Sequence, residues 1–415
     1  MDFTQFGMIN RYERICALPE SELDRRWGVI RDVMRAHDVP VMVLFNVGES
    51  GMAWWLISCS SKLPSVIIFP LEGEPVAVYP PRGRVTDSFN DRPYPGRTKV
   101  EGGIHGRVRN TNSFRAEDVR RYLTPGKPAR IGAVHPQAMT QGVRKELLGG
   151  IPDAHLVDLT AQVARVRSQR SSFDLELARA SAQMHRVFLE AVPSIARIGR
   201  TEKELKADLH CLAMDLGSGG EDMCLMLHVF DREGRILRQG PDQALPGRRL
   251  QEGDMFSILL ETSGPGGLFS ANLRYWSFGD ISDSFAERYR VALGAQNLVQ
   301  SLLRPGISIR CVADRLNDYI RAAGHYTDNC CYIHSMGYAM GDYPVLTDNS
   351  AHQPKLPEED DPLQPWTILL AHPHVGFAPR TDRDDMARII ETYLVSDTGC
   401  ERMTTAPREQ VYIIR

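Results

Sequence analysis

The fold is decided by two neighbouring stretches of sequence, GDMFSILLE at residues 253–261 and GLFSANLR at residues 267–274. Two residues inside these stretches, Leu260 and Ala271, offer no side-chain atom that binds a hard or borderline cation. The first stretch ends on a carboxylate, Glu261, and the second contains no acidic residue. What this part of the chain can do chemically therefore depends on which neighbours join it.

Length and composition limit the class of protein. The chain has 415 residues, of which 42% are hydrophobic and 24% are charged, and its net charge is −3. These values fit a soluble globular protein with two domains and give no reason to expect nucleic acid or an anionic membrane as partner. No run reaches the roughly 18–20 apolar residues of a membrane span, and no secretory signal is visible. Eight cysteines without paired spacing predict reduced thiols in a cytoplasm.

The first 160 residues alternate between helical and strand-like patterns, which predicts an α/β domain. The segment 82–115 is rich in Gly, Pro, Asn and Arg without a period, and is predicted to be irregular. A long helix is predicted from Ser172 to about Ala196. The other predicted elements of this first half are a helix at 21–37, strands at 39–45, 64–70, 75–79, 129–134 and 154–158, and a helix containing 143–148.

The two opening stretches resemble the strand pair GD…D…GYxxDxxR of the creatinase and aminopeptidase P family, whose catalytic domain has the pita-bread fold. In metal-dependent members, two aspartates of this pair bridge the metals. Counted back from Arg274, the second aspartate position holds Ala271. The first position holds Leu260, or Glu261 if a slip of one residue is allowed. The resemblance therefore implies a site without its usual acidic ligands.

A second point of resemblance lies at residues 164–171, ARVRSQRS, which is similar to the family's junction lR.iKs..E. The resemblance implies an α/β (α+β) protein with a creatinase-type N-terminal α/β domain, residues 1–167, followed by a pita-bread domain, residues 168–415. The polar composition of the junction between two structured patterns also favours a boundary there.

Three histidines fall on family motifs. His334, in IHSMG at 333–337, matches the histidine of GHxxG, and creatinase also has His-Ser there. His372, in the segment resembling PGMvftiEP, replaces the glutamate ligand. His374 lies two residues on and would share a strand face with His372, although a place on a surface loop is equally open. A lone histidine is often a packed core residue, but its motif favours a functional role for His334.

The last motif, RIIETYLV at 388–395, resembles vRiEdtvlV. Glu391 is matched to the final glutamate ligand because a carboxylate buried in a strand is otherwise costly. Ile390 is the competing alignment.

Creatinase itself works without a metal and carries a catalytic histidine upstream of the GD pair. At that distance from Gly253 this chain has Asp242, and His228 is a candidate substitute. The creatinase carboxylate near the second strand is replaced by Leu273. The chain is thus expected to be neither a plain aminopeptidase nor a plain creatinase.

Three functions remain open. The first is a metal-independent, creatinase-like hydrolase or lyase with no cofactor, which acts on a C–N bond of a small polar, amino-acid-like molecule. Its acid–base groups would be His334, His372, Glu391 and Glu261, with Asp242, His228, His374 and Trp54 around the substrate. The second is a single-metal enzyme with one Zn or Fe ion in a rebuilt His/Glu site. The third is a binding module without turnover. The resemblance also implies a cytoplasmic homodimer, and Trp54 in the aromatic segment MAWWL suits an interface or a pocket.

Overall fold

The computed structural model describes residues 18–47, 50–58, 66–78, 107–111, 116–148, 155–218, 223–237, 247–327, 332–346, 360–376 and 387–415. The chain divides into two compact units, of which one ends at Arg167 and the other begins at Ser168. Each unit has its own sheets and its own core. Among the described residues, no helix is both long enough and apolar enough to cross a bilayer.

The N-terminal unit is built on one mixed sheet of six strands in the order β4-β3-β2-β1-β5-β6. Its strands β1, β2 and β3 are buried along their whole length, as expected for a sheet with little solvent contact. The strands are β1 (Val41–Phe45), β2 (Val66–Pro70), β3 (Val76–Val78), β4 (Arg109–Thr111), β5 (Arg130–Val134) and β6 (His155–Asp158). The helices are α1 (Glu20–Ala36), α2 (Met52–Ile57), α3 (Glu117–Arg120), α4 (Gln141–Leu148) and α5 (Thr160–Ser168).

The strands and helices predicted for this half from apolar spacing are confirmed, with small shifts at their ends. One prediction is wrong: within the segment 82–115, Arg109–Thr111 forms a strand that pairs in parallel with Val76–Val78. A three-residue edge strand is held by backbone hydrogen bonds and needs no apolar pattern of its own. Residues 79–106 and 112–115 lie outside the described residues.

The C-terminal unit contains a four-stranded sheet in the order β17-β9-β8-β7 and a five-stranded sheet in the order β11-β10-β12-β15-β16. The first sheet and its helices comprise α6 (Ser172–Ile195), α7 (Glu202–Asp215), β7 (Cys224–Phe230), β8 (Met255–Ser263), β9 (Phe269–Ser277) and β17 (Tyr412–Ile413). The second part comprises α8 (Asp283–Leu302), α9 (Ile309–Ala322), β10 (Tyr332–Ser335), β11 (Asp342–Leu346), β12 (Ile368–His372), β13 (His374–Val375), β14 (Ala387–Arg388), β15 (Glu391–Val395) and β16 (Cys400–Arg402).

The long helix predicted after the junction is α6, and it begins at a capping box. Ser171 accepts a hydrogen bond from the backbone of Asp174 (3.1 Å), and the Asp174 carboxylate accepts one from the backbone of Ser171 (3.2 Å). Thr201 and Glu204 form the same arrangement at the start of α7. Each box satisfies backbone donors that a helix start leaves open, so the sequence itself fixes where both helices begin.

The two sheets of this unit meet between β9 and the start of β15. The backbone N–H of Leu273 donates to the carbonyl of Ile390 (3.3 Å), and these two residues form an antiparallel bridge. Beside it, Thr392 Oγ1 lies 3.1 Å from both the backbone nitrogen and the carbonyl oxygen of Ala271. Strand pairing therefore continues from one sheet into the other, which fixes the register of the two halves.

The two faces of this joined sheet differ in their packing. Ile258, Leu260 and Trp276 point to the face covered by α6 and α7, where they join an apolar core with residues such as Phe188 and Leu209. We call this the back face. Because side chains alternate along a strand, Leu259, Glu261 and Ala271 point the other way, to what we call the front face.

Candidate active site

The strand register lines up three rows of residues on the front face, each row running across the strands. Residues directly opposite one another in a sheet point to the same face. The rows follow from the pairings of β7 to β15 and from the bridge between Leu273 and Ile390. The first holds Cys224, Glu261, Ala271, Thr392, Leu370 and His334; the second holds Met226, Leu259, Leu273, Ile390 and His372; the third holds His228, Ser257, Tyr275, Arg388 and His374.

His334 and His372 form a pair on this face. Tyr332 lies opposite His372 and Leu370 lies opposite His334, so the two histidines are diagonal neighbours. Their ring centroids are 5.5 Å apart, with the rings tilted by 34°. Burial lowers the pKa of His334, which keeps its imidazole neutral near pH 7. Two facing imidazoles can share one proton, and this is the arrangement needed for acid–base work.

Glu261, and not Leu260, is the acidic position of the first strand. Glu261 pairs directly with Ala271, whereas Leu260 is buried in the core behind the sheet. The one-residue slip is therefore the alignment that matches the direction of the side chains. Burial raises the pKa of Glu261 to about 7, so its carboxyl exchanges a proton near neutral pH.

Glu391 does not join the histidines, which corrects the choice made from sequence. It pairs with Ala371 and points to the back face, where its Oε1 accepts from Arg274 Nη2 at 2.6 Å and from Arg402 Nη1 at 3.3 Å. Its Oε2 accepts from the Asn272 amide at 3.1 Å. A buried strand glutamate is indeed costly, but here arginines offset that cost, and the Glu391 carboxylate does not line the front face.

The front-face position of that motif belongs to Ile390, the competing alignment. Ile390 lies opposite Leu273, and the register of β12 with β15 puts it across from His372. It is fully buried. Ile390, across from His372, and Ala271, in the row of His334, are therefore apolar positions on this face.

The third row brings together two histidines from the predicted set and one residue that the sequence did not single out. His374 is fully buried and pairs with Arg388, so it is not surface loop. The backbone of Arg388 donates to Tyr275 Oη at 3.3 Å. Arg388 is itself buried, and its side chain interacts with the Tyr275 hydroxyl. The sequence analysis noted Arg388 only as the first residue of the motif RIIETYLV.

His228 stands at the outer end of this row, opposite Ser257 on β7, and is partly exposed. The inner end is closed, because the Tyr275 ring packs against Phe285 and Tyr289 of α8 at centroid distances of 5.2 and 6.0 Å. Burial raises the pKa of Tyr275, and Arg388 opposes that shift.

The Cys224 thiol, in the same row as Glu261, is a poor nucleophile. Cys224 lies opposite Glu261. Burial raises the pKa of the Cys224 thiol, and the Glu261 carboxyl raises it further. Since the thiolate is the reactive form of cysteine, nucleophilic thiol chemistry at this position is disfavoured.

The predicted site also included Trp54 and Asp242. Trp54 belongs to α2 of the N-terminal unit, where it is partly exposed beside the fully buried Trp55. Asp242 lies outside the described residues.

The donor atoms on the front face do not fit a dinuclear metal centre. Two of the positions that carry acidic ligands in metal-dependent relatives hold Ala271 and Ile390, which have no donor atom. In the described part of the chain, no three His, Cys, Asp or Glu side chains come close enough to share an ion. The donors that the first two rows contribute are Cys224, Glu261, His334 and His372, and the third row adds His228 and His374.

Comparison with known proteins now gives the family. Metallopeptidase family M24 matches residues 176–397, which is more than half of the chain, and the chain belongs to this family. It is 24% identical to an uncharacterized hydrolase/peptidase of Sinorhizobium fredii over 403 residues, which cover 94% of the chain and 96% of that protein.

The fold is also that of solved members. The dipeptidase PepE of Mycobacterium ulcerans superposes with a TM-score of 0.71 at 18% identity, covering 95% of this chain and 98% of that one. The Xaa-Pro dipeptidase of Bacillus anthracis superposes with a TM-score of 0.71 at 16% identity, covering 94% and 99%. The expected fold, an α/β chain with a C-terminal pita-bread domain, is confirmed.

The back-face position of Glu391 predicts a large effect on stability. In Glu391→Gln, fully buried Arg274 loses its charged partner, and breaking a buried pair costs about 3–5 kcal/mol. Glu401→Gln is the control, because its pair with Arg179 is half exposed at 3.5 Å and is worth less than about 1 kcal/mol. Urea unfolding measures both variants. A Glu391→Gln variant that is as stable as Glu401→Gln would contradict the assignment of Glu391 to the back face.

The raised pKa of Glu261 predicts a stability change that depends on pH. The folded state holds this proton up to about pH 7, whereas an ordinary glutamate releases it near 4.5, so its contribution to stability falls as pH rises across that interval. Glu261→Gln removes this loss. The variant should match wild type below pH 4.5 and exceed it by up to about 3 kcal/mol above pH 7. Thermal unfolding from pH 4 to 8 tests this; a difference independent of pH would refute the raised pKa.

Proposed function

We propose that the protein is a hydrolase of family M24 that cleaves a C–N bond of a small, amino-acid-like molecule by histidine acid–base catalysis, without a metal ion. The observation that carries this proposal is the pair of His334 and His372, with ring centroids 5.5 Å apart, beside apolar residues at two ligand positions. Structurally similar peptidases such as the Xaa-Pro dipeptidase act on C–N bonds, which supports a C–N bond as the one that this protein cleaves.

The two imidazoles divide the work of proton transfer. The Ser335 carbonyl oxygen can only accept a hydrogen bond, so the contact of 3.2 Å with His334 Nδ1 requires a proton on Nδ1 and leaves Nε2 as a base. His334 takes a proton from water as the water oxygen attacks the carbon. His372 gives a proton to the nitrogen as the C–N bond breaks. Return of the proton from His334 to His372 through solvent completes the cycle, with one water consumed.

The charged groups around the pair favour a small polar substrate. Glu261, with its pKa raised to about 7 by burial, can donate a hydrogen bond when protonated and accept one when ionised. Arg388, one row away and buried, suits a carboxylate or another anion on the substrate. A molecule that carries a carboxylate near the bond to be cleaved would contact Arg388 through the carboxylate and the histidine pair through that bond.

The same groups are also suited to an elimination reaction. Abstraction of a proton next to a carbonyl by His334, with protonation of the leaving nitrogen by His372, needs no water. Product analysis separates the two reactions, because hydrolysis incorporates oxygen from labelled water and elimination does not.

A homodimer in the cytoplasm is part of the proposal, since the resemblance to creatinase implies a dimer. Light scattering at micromolar concentration should give about twice the chain mass of 46.6 kDa. A mass of one chain would count against it.

The catalytic prediction concerns His334→Ala and His372→Ala. In a screen of dipeptides, amino-acid amides and amidino compounds, each variant should lose at least about a hundredfold in turnover of whichever compound the wild type cleaves. His210→Ala, on α7 behind the sheet, is the matched control and should keep full activity. Near-normal turnover by His334→Ala would exclude this mechanism, and binding of a compound without turnover in wild type would favour a binding module.

The metal prediction separates the alternatives. The purified protein should contain less than one metal ion per chain, and turnover should survive dialysis against a chelator. One Zn or Fe ion per chain, with activity lost on chelation and restored by that metal, would establish the single-metal alternative. In that case His334, His372 and Glu261 are the donors to test, because Glu391 is held on the back face by Arg274.

A further inference from the structure

The strand that carries His334 ends in an irregularity. In β10, His334 lies opposite Val345, but the next residue, Ser335, lies opposite Asp342. The register therefore shifts between His334 and Ser335. Irregularities of this kind re-aim side chains next to active sites, so whatever holds Ser335 in place also sets the direction of His334.

Arg170 holds this irregular segment from behind. Its side chain is fully buried, and Nη2 donates to the Met336 carbonyl at 2.8 Å and to Asp342 Oδ2 at 3.0 Å, and contacts Ser335 Oγ at 3.4 Å. Its backbone N–H donates to the Trp366 carbonyl at 3.1 Å. One side chain thus ties together both ends of the turn that follows His334.

The close approach of Arg170 requires a glycine in that turn. A Cβ at Gly337 would collide with Asp342 Oδ2 and would lie 2.6 Å from Arg170 Nη2. The Gly337 carbonyl in turn accepts from the backbone of Phe269 at 2.8 Å, which connects the turn to β9. The turn is therefore fixed on both sides, and its residues have little freedom to rotate.

One peptide group, between Ser335 and Met336, connects this turn to the His334 ring. The Ser335 carbonyl, which accepts from His334 Nδ1, belongs to the peptide between Ser335 and Met336. The Met336 carbonyl, one peptide further, accepts from Arg170, and the Met336 N–H donates to the Ile368 carbonyl at 3.1 Å. Rotation of this peptide would remove the acceptor that selects the protonated nitrogen.

We propose that Arg170 is a positioning residue that, by fixing the turn after β10, holds the Ser335 carbonyl against His334 Nδ1 and so selects the tautomer in which Nε2 is the base. The catalytic meaning of this tautomer rests on the proposed function. The tautomer itself does not, because it exists in the resting protein.

The test reads the tautomer directly. Protein labelled with ¹⁵N-histidine is studied by long-range ¹H–¹⁵N correlation near pH 8, where a histidine with a lowered pKa is neutral, and His334→Gln assigns the signal. In wild type, His334 should show a protonated Nδ1 and a bare Nε2. Arg170→Met, and the charge-balanced Arg170→Met/Asp342→Asn, should shift the ratio of tautomers by at least tenfold. Arg170→Lys, which keeps a donor for the carbonyl and the carboxylate, should retain the wild-type pattern.

Asp174→Asn controls for simple loss of stability. Asp174 accepts from Tyr338 Oη of the same turn at 2.7 Å, and therefore holds the turn at a different residue from Arg170. This variant should melt earlier and keep the wild-type His334 signals. If Nε2 of His334 is protonated in the wild-type protein, the proposal is wrong, and this result needs no Arg170 variant to fold. The proposal is also wrong if a folded Arg170→Met variant, with or without Asp342→Asn, shows the wild-type His334 signals. If the tautomer responds as expected but His334→Ala retains turnover, only the proposed function fails.

Discussion

The buried ion pair between Glu391 and Arg274 is the interaction on which the site depends. Both side chains are fully buried, and their charged atoms are 2.6 Å apart. Each alone would be strongly destabilising in the core, whereas together they are tolerated only in one geometry. Because Arg274 comes from β9 and Glu391 from β15, the pair fixes how the two sheets join. That register decides which residues of every strand point to the front face.

The front face that results carries imidazoles and a carboxyl group beside apolar residues. Ala271 and Ile390 replace donors with hydrocarbon, and His372 stands where the resemblance implies a glutamate ligand. Burial shifts the pKa values of two groups on this face in opposite directions: it lowers the pKa of His334 and raises that of Glu261 to about 7. Such opposed shifts are typical of acid–base sites, and Arg170 adds the rigidity that such a site needs.

The fold could be predicted further than the site. Apolar runs and family motifs located the five strands predicted in the first half and the long helix after the junction, because these signals are local. The choices between Leu260 and Glu261, and between Ile390 and Glu391, could not be made from the sequence. A one-residue shift in strand register moves a side chain to the other face, and the register here is set by a contact between residues more than a hundred positions apart. Arg170 and Arg388 were missed for the same reason, since their partners are distant in sequence.

The most direct test of this account is anomalous diffraction from crystals of the wild-type protein grown with excess Mn²⁺. The account predicts no pair of anomalous peaks between Glu261, Ala271 and His372, with Glu391 bound to Arg274 behind the sheet and the His334 and His372 rings facing each other in front. Two Mn²⁺ peaks at that position, with Glu391 turned to the front face as a ligand, would contradict it.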